Sequence, residues 1–203
     1  MHSNSELINH LINKGVLSSS NVTEAFEHVD RVYFVGDANI GDIYGDYPLQ
    51  IGKGQTISQP TTVAMMLEML DAQRGDKVLD IGSGSGWTTA LLAYIVGEEG
   101  SVIGMERVEE LVAFGRANLA KFGFKNAQIM HAGTHLGLPN ETFDRILVSA
   151  AAEEFPHELA RQLKVGGKLV IPIQSSIFEI TKLQNGELKA VEHYGFSFVP
   201  LIF

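Results

Sequence analysis

Hydrophobic positions along this chain change period part-way through, and the change predicts its organisation. Near the N-terminus, Leu7, Ile8, Leu11 and Ile12 recur at helical spacing over residues 5–14. A second short helix is expected over 21–29, opened by Asn21 and Glu24 in a capping-box arrangement. Residues 30–60 show no sustained period but are rich in glycines and aromatics. Tyr33, Phe34, Ile40, Tyr44, Tyr47, Leu49 and Ile51 all need a surface to pack on, so an ordered loop region is expected rather than a linker. Helical periodicity resumes over 61–70 through Val63, Met66, Leu67 and Leu70, with Met65, Met66 and Met69 read as core filler.

From residue 77 onward, short apolar runs alternate with helical patterns. Strands are expected at 77–81, 102–105, 127–130, 144–149 and 168–173, the last entered through a turn at Gly166-Gly167, and helices at 87–96, 108–122 and 156–163. Such alternation predicts an α/β fold, a mostly parallel sheet with helices on both faces. The tail then reads as strands at 178–183, 189–194 and 197–201. Gln184-Asn185-Gly186-Glu187 is a hairpin signal between the first two, so an antiparallel C-terminal edge is expected.

The chemistry concentrates where the first strand of that series ends. Lys77-Val-Leu-Asp-Ile-Gly-Ser-Gly-Ser-Gly-Trp87 places Asp80 and then Gly82, Gly84 and Gly86 at alternate positions. Glycines there permit left-handed dihedrals and let a ligand approach bare backbone. The next strand ends in Glu106, where a carboxylate can accept both hydroxyl protons of a ribose. Together these features point to a nucleoside-containing ligand. A dinucleotide fingerprint needs G-x-G-x-x-G, and Trp87 or Thr89 stands at the third glycine position, depending on the start. Asp80 suits a cationic amino group, which S-adenosylmethionine carries and a pyrophosphate lacks. A D/E-x-G-x-G-x-G turn followed by an acid-ended strand resembles the mark of a methyltransferase.

Composition sets the outer limits. With 203 residues, 45% of them hydrophobic, the chain can bury one sizeable core. It has no cysteine, which excludes disulfides, thiolate catalysis and cysteine metal sites. A formal charge of −9 argues against sequence-independent nucleic-acid binding. No apolar run approaches the roughly twenty residues that span a bilayer, so no membrane partner is expected and a cytoplasmic location is. His131 and His135 are four apart but separated by Gly133 and followed by Leu-Gly-Leu-Pro139, a loop pattern, so no metal site is expected.

Several blocks resemble the protein-L-isoaspartate O-methyltransferases: Arg31-Val-Tyr-Phe34, residues 47–60, Asp80-Ile-Gly-Ser-Gly-Ser-Gly86, Ala150-Ala-Ala152, residues 162–167, Leu169-Val-Ile-Pro172 and Phe198-Val-Pro-Leu201. The most specific is Gly54-Gln-Thr-Ile-Ser-Gln-Pro60, because methyltransferases in general share the glycine turn but not this segment. The resemblance implies a Rossmann-like class I methyltransferase fold in one compact body. Residues 1–60 would supply N-terminal helices and a segment covering substrate and cofactor, and residues 61–203 the S-adenosylmethionine-binding core. It implies methyl transfer from S-adenosyl-L-methionine to the free carboxylate of isoaspartyl residues in proteins or peptides. It gives Ser58 the active-site role and Gln55, Thr56 and Ile57 a part in wrapping the cofactor. Asp80, Gly82, Ser83, Gly84, Gly86 and Glu106 would complete the cofactor site.

One feature of the cofactor site departs from the family pattern. Gly133 stands where an acid facing the adenine is common, so either Thr134 or main chain makes that contact or cofactor affinity is reduced. Lys53 is the candidate for local positive charge near the substrate. On residue type alone Ser58 reads first as a turn or helix N-cap serine ahead of residues 61–70, and only the family resemblance reverses that order. A methyltransferase with another acceptor and a non-catalytic cofactor-binding relative are the alternative functions. Oligomeric state is left open.

Overall fold

In the computed structural model, which describes residues 1–36 and 42–203, a seven-stranded sheet forms the centre. The expectation for Ile40 lies outside the described residues. Helix α1 (Asn4–Asn13) is capped by Ser3, whose hydroxyl accepts the Glu6 N–H. It buries Leu7, Ile8 and Leu11, while Ile12 faces solvent. Helix α2 (Ser20–His28) begins two residues earlier than the capping-box reading required. Asn21 lies inside its first turn, donating to the Ala72 carbonyl, and Ser19 is the cap residue. Ser18 and Ser19 donate to the Glu68 carboxylate, which ties this helix start to α3 (Pro60–Leu70).

Between α2 and α3, the expected loop region contains a 3₁₀ turn at Arg31–Phe34 and an antiparallel hairpin, β1 (Leu49–Gly52) with β2 (Gln55–Ile57). Gly52, Lys53 and Gly54 all take positive φ at its tip, where two glycines make that conformation cheap. Arg31 is fully buried. Its guanidinium donates to the Gly45 and Tyr47 carbonyls and lies over the Trp87 ring, 5.2 Å from the centroid. Burial lowers its pKa to about 10, which leaves it cationic at neutral pH.

The remaining elements follow the expected order: β3 (Lys77–Ile81), α4 (Trp87–Val96), β4 (Ser101–Glu106), α5 (Glu109–Ala120), β5 (Ala127–His131), β6 (Phe143–Val148), α6 (His157–Gln162), β7 (Leu163–Ile173), β8 (Ser176–Lys182) and β9 (Leu188–Tyr194). The sheet order is β5-β4-β3-β6-β7-β8-β9, parallel from β5 to β7 and antiparallel beyond. The hairpin at 184–187 joins β8 to β9 as expected, closed by the Leu183 N–H to the Glu187 carbonyl.

Two sequence expectations are corrected here. Gly166-Gly167 lies inside β7, not in a turn before it, because β7 starts at Leu163 and pairs with Phe143 before a register shift. Residues 197–201 form no strand. Pro200 cannot donate a ladder hydrogen bond, and the segment reaches Ala151 only through a short parallel bridge.

Helices cover the two faces unequally. On one face, α1 to α5 bury Val78, Val102, Leu147 and Val170. On the other, Leu79, Ile81, Ile103, Ile146 and Ile171 are covered by α6, through Leu159, together with Leu136 and Leu138 from the loop after β5. Helix α4 is apolar nearly all round and buried except at Thr88 and Tyr94, which are partly exposed, the condition of a helix sandwiched within a core. Among the described residues no helix is long and apolar enough to cross a membrane.

Candidate active site

The order of the strands determines where a ligand can enter. The chain runs outward from β3 through β4 to β5, then returns to place β6 on the other side of β3, so the loops leaving β3 and β6 diverge. Crevices at such reversals, beyond the C-terminal ends of parallel strands, are the usual ligand sites of open α/β sheets. Here the crevice is an open cavity of about 890 Å³. Gln55, Thr56, Ile57 and Ser58 line it from the hairpin side, Gly82, Ser83 and Gly84 from the glycine turn, and Glu106 from β4.

The glycine turn is held tightly. The Gly82 and Ser83 N–H groups both donate to the Met105 carbonyl at 2.8 and 3.1 Å. Gly84, at φ +51°, donates its N–H to Glu106 Oε2 at 3.0 Å, and an added Cβ would lie 3.3 Å from Ile51 Cδ1. The hairpin therefore sits directly over the turn. Glu106 Oε1 accepts the Val108 N–H at 2.9 Å. Each carboxylate oxygen is thus fixed by one backbone donor and keeps acceptor capacity towards the cavity. Gly86 has a different task. It lies at φ +88° at the start of α4, and a Cβ there would meet Ile129 at 3.0 Å and the Gly115 carbonyl at 3.1 Å, so it packs α4 against α5 without lining the cavity.

Asp80 also lies behind the wall. Strand alternation turns it towards α4, where Oδ2 accepts the hydroxyls of Thr88 at 2.7 Å and Thr89 at 2.6 Å. Oδ1 is buried with no partner among the described residues, as is the hydroxyl of Ser83. Burial pushes the Asp80 carboxyl up to about 6, against the two hydroxyl bonds that lower it, with the Glu106 charge raising it further. Gly133 and Thr134 are exposed and outside the lining. That wall is formed instead by Ala132, His135, Leu136 and Gly137.

Ser58 does not cap α3. Gln59 precedes the helix without a side-chain cap bond, and Asp46 supplies the cap from a distance, its Oδ1 accepting the Thr61 N–H at 2.9 Å and its Oδ2 the Thr61 hydroxyl at 2.7 Å. Lys14 and His10 also reach this carboxylate, and Gln59 donates to the Asp46 main-chain carbonyl. Burial alone would raise the Asp46 pKa, but these hydrogen bonds outweigh it and hold the carboxyl well below the ordinary range. The cap reading of Ser58 is thereby removed, and its hydroxyl has no protein partner among the described residues.

A second open cavity adjoins the first, lined by Pro48, Gln59, Thr62 and the segment from Gly195 to Val199. The two share Thr56, Ser58, Ser149 and Val199. No charged side chain lines the second cavity among the described residues. Lys53 lines neither cavity, being paired with Glu110 at the hairpin tip.

The family model described as Protein-L-isoaspartate(D-aspartate) O-methyltransferase (PCMT) matches residues 2–202. This chain belongs to that family. Protein-L-isoaspartate O-methyltransferases of Pyrococcus horikoshii and Thermococcus onnurineus are 42% and 43% identical to it, each alignment covering 93% of this chain and 88% of the relative. A Plasmodium falciparum chain described as a protein-L-isoaspartate O-methyltransferase, solved in complex with S-adenosyl-L-homocysteine, superposes with a TM-score of 0.87 at 29% identity, covering 100% of this chain and 99% of its own. The Rossmann-like class I methyltransferase fold expected from the sequence is therefore the fold of this family member. Of the residues expected at the cofactor, Gln55, Thr56, Ile57, Gly82, Ser83, Gly84 and Glu106 converge on one cavity with Ser58 at its edge. Asp80, Gly86, Gly133 and Thr134 stand outside the lining. Ser149 and Ala150 had no local signature as site residues, although the neighbouring Ala150-Ala-Ala152 and Phe198-Val-Pro-Leu201 blocks carried the family resemblance.

Proposed function

We infer that this protein methylates the free carboxylate of L-isoaspartyl residues in damaged proteins or peptides, using S-adenosyl-L-methionine in the first cavity. The observation that carries the reading is the meeting of the two cavities at Ser58, one with a nucleoside-type lining and one with no charged side chain among the described residues. The residues fit the cofactor. Glu106 has two oriented oxygens free to accept ribose hydroxyls, and Gly82 and Gly84 keep the floor bare of side chains that would fill the cradle. Among the described residues Ser83 has a buried hydroxyl without a partner, and Asp80 Oδ1 is unpaired behind the same turn.

When bound, S-adenosylmethionine would supply a methyl carbon on a sulfonium, open to attack by a carboxylate oxygen as the C–S bond breaks and neutral S-adenosylhomocysteine leaves. An isoaspartyl carboxyl with an ordinary pKa near 4 is ionised at neutral pH, so the protein needs no general base. Its contribution is alignment and exclusion of water, the proximity effect. Gln55, Thr56 and Ile57 cover the cofactor from above, while Asp80 acts through Thr88, which lines the cavity, rather than by contact. The adenine end is placed against Ala132, His135, Leu136 and Gly137, the residues that occupy the wall assigned from sequence to Gly133 and Thr134. The Ser58 hydroxyl orients the acceptor carboxylate and does not become a nucleophile. The proposed setting is cytoplasmic.

The test compares an isoaspartyl peptide with its aspartyl counterpart in a radiolabelled methyl-transfer assay. Label should enter the isoaspartyl peptide alone, and equal labelling of both would defeat the repair function.

A further inference from the structure

We propose that Ser149 supplies a second hydroxyl that, with Ser58, holds the acceptor carboxylate at the junction of the two cavities. The proposal rests on the functional reading above, since it assigns a residue to that same transfer.

A group passing from a ligand in one cavity to a ligand in the other must cross where the cavities meet. Thr56, Ser58, Ser149 and Val199 are the residues common to both linings. Val199 has no polar side-chain atom, and Thr56 belongs to β2, the strand laid over the cofactor cavity. Ser58 and Ser149 come from separate elements: Ser58 follows the hairpin, and Ser149 follows β6 at the strand-order reversal. The backbone of Ser149 is held, its N–H donating to the Ile81 carbonyl at 2.8 Å and that of the nearby Ala151 to the Val199 carbonyl at 2.8 Å. Its hydroxyl has no protein partner among the described residues, like that of Ser58. Two hydroxyls without a partner among the described residues therefore line the junction of the two cavities from separate elements.

The chemistry of the acceptor explains the value of this arrangement. A carboxylate leaving water needs donors for both oxygens, or its desolvation is uncompensated. An arginine could provide them, but a guanidinium beside a carboxylate lowers its pKa by about 1–3 units and with it the basicity that attacks the methyl carbon. Neutral hydroxyls orient the oxygens at a smaller loss of nucleophilicity. The second cavity is lined by hydroxyls, the Gln59 amide and apolar side chains, with no cation among the described residues, a composition that meets this requirement. Two donors also fix the plane of the carboxylate, which a single hydroxyl leaves free to rotate.

The test measures kcat and KM for an isoaspartyl hexapeptide, together with the affinity for S-adenosylhomocysteine by calorimetry, in wild type, Ser149→Ala, Ser149→Thr, Ser58→Ala and the double alanine variant. Removing one hydrogen bond to a charged group predicts that Ser149→Ala lowers kcat/KM roughly tenfold or more with product affinity unchanged. Ser149→Thr, which keeps the hydroxyl, should restore most of the loss. The double variant should lose less than the product of the single losses, because the two hydroxyls serve one carboxylate. A Ser149→Ala enzyme within twofold of wild type, or a Ser149→Thr enzyme as impaired as the alanine variant, would overturn the assignment while leaving the functional reading intact. A wild-type protein that does not methylate the peptide at all would overturn both.

Discussion

Glu106→Gln changes one oxygen of the most constrained carboxylate in the cofactor cavity, and its cost can be worked through. The native side chain is buried, with Oε2 taking the Gly84 N–H at 3.0 Å and Oε1 the Val108 N–H at 2.9 Å. These two donors hold the carboxylate so that one acceptor site per oxygen faces the ligand. Glutamine keeps one oxygen and presents an NH₂ group in place of the other. That NH₂ meets a backbone N–H, donor against donor, and offers no acceptor to the second ribose hydroxyl. A hydrogen bond to a charged group contributes about 1.5–3 kcal/mol. Losing one should weaken cofactor binding by about ten- to a hundredfold, at about 1.4 kcal/mol per tenfold. The assay is calorimetric titration with S-adenosylhomocysteine, which avoids turnover, and a urea unfolding curve checks that the variant remains folded. A folded Glu106→Gln protein that binds within threefold of wild type would refute the placement of the ribose on this residue.

Other substitutions separate binding from folding. Gly84→Ala brings a Cβ to 3.3 Å from Ile51 Cδ1 at a left-handed φ, so it should displace the hairpin and weaken S-adenosylhomocysteine binding by tenfold or more in titration calorimetry. Gly86→Ala adds a Cβ against the Gly115 backbone and should instead cost stability, roughly 2–4 kcal/mol from left-handed strain and overpacking, read from the urea midpoint. Asp46→Ala removes the cap of α3 and should destabilise by roughly 1–2 kcal/mol at pH 7. Because the folded carboxyl sits below its unfolded pKa, its stabilisation is present above about pH 4 and lost on further acidification, so the gap between wild type and variant should shrink there. Asp80 has the opposite sign. Its folded pKa of about 6 lies above the unfolded value, so the folded state holds an extra proton and its contribution falls as pH rises from about 4 to 6. Relative to Asp80→Asn, wild type should lose stability across that window in urea titrations, and a gain would contradict the assignment.

What could be read from the sequence was what short-range pattern encodes. Strand β3 and the glycine turn were legible because an apolar run, an acid and alternate glycines occupy consecutive positions, and α4 because its apolar length has no other use. The β1–β2 hairpin was not. Its strands are four and three residues long with a bulge between Gln50 and Gly52, too short for a period of two to stand out, and its position depends on packing over Gly84. Residues 197–201 look like a strand by composition, but Pro200 and a single bridge to Ala151 keep them extended without a ladder. The side chain of Asp80 was assigned to the ligand from its place before the glycines. Counting alternation from Val78, whose side chain packs towards the helices, would have turned it to α4. Ser149 carries no local signal, since its proposed role comes from lining both cavities with Ser58 after the chain has crossed back over β3. The N-cap alternative for Ser58 could be settled only in three dimensions, because the residue that caps α3 is Asp46, fourteen positions before the helix begins.

The most direct test of the account is a crystal structure of this protein with S-adenosylhomocysteine. The account predicts both ribose hydroxyls on the Glu106 carboxylate, the homocysteine end across Gly82 to Gly84, and the sulfur facing the gap between Ser58 and Ser149. A product bound elsewhere, or seated in this cavity with its sulfur turned away from that gap, would contradict it.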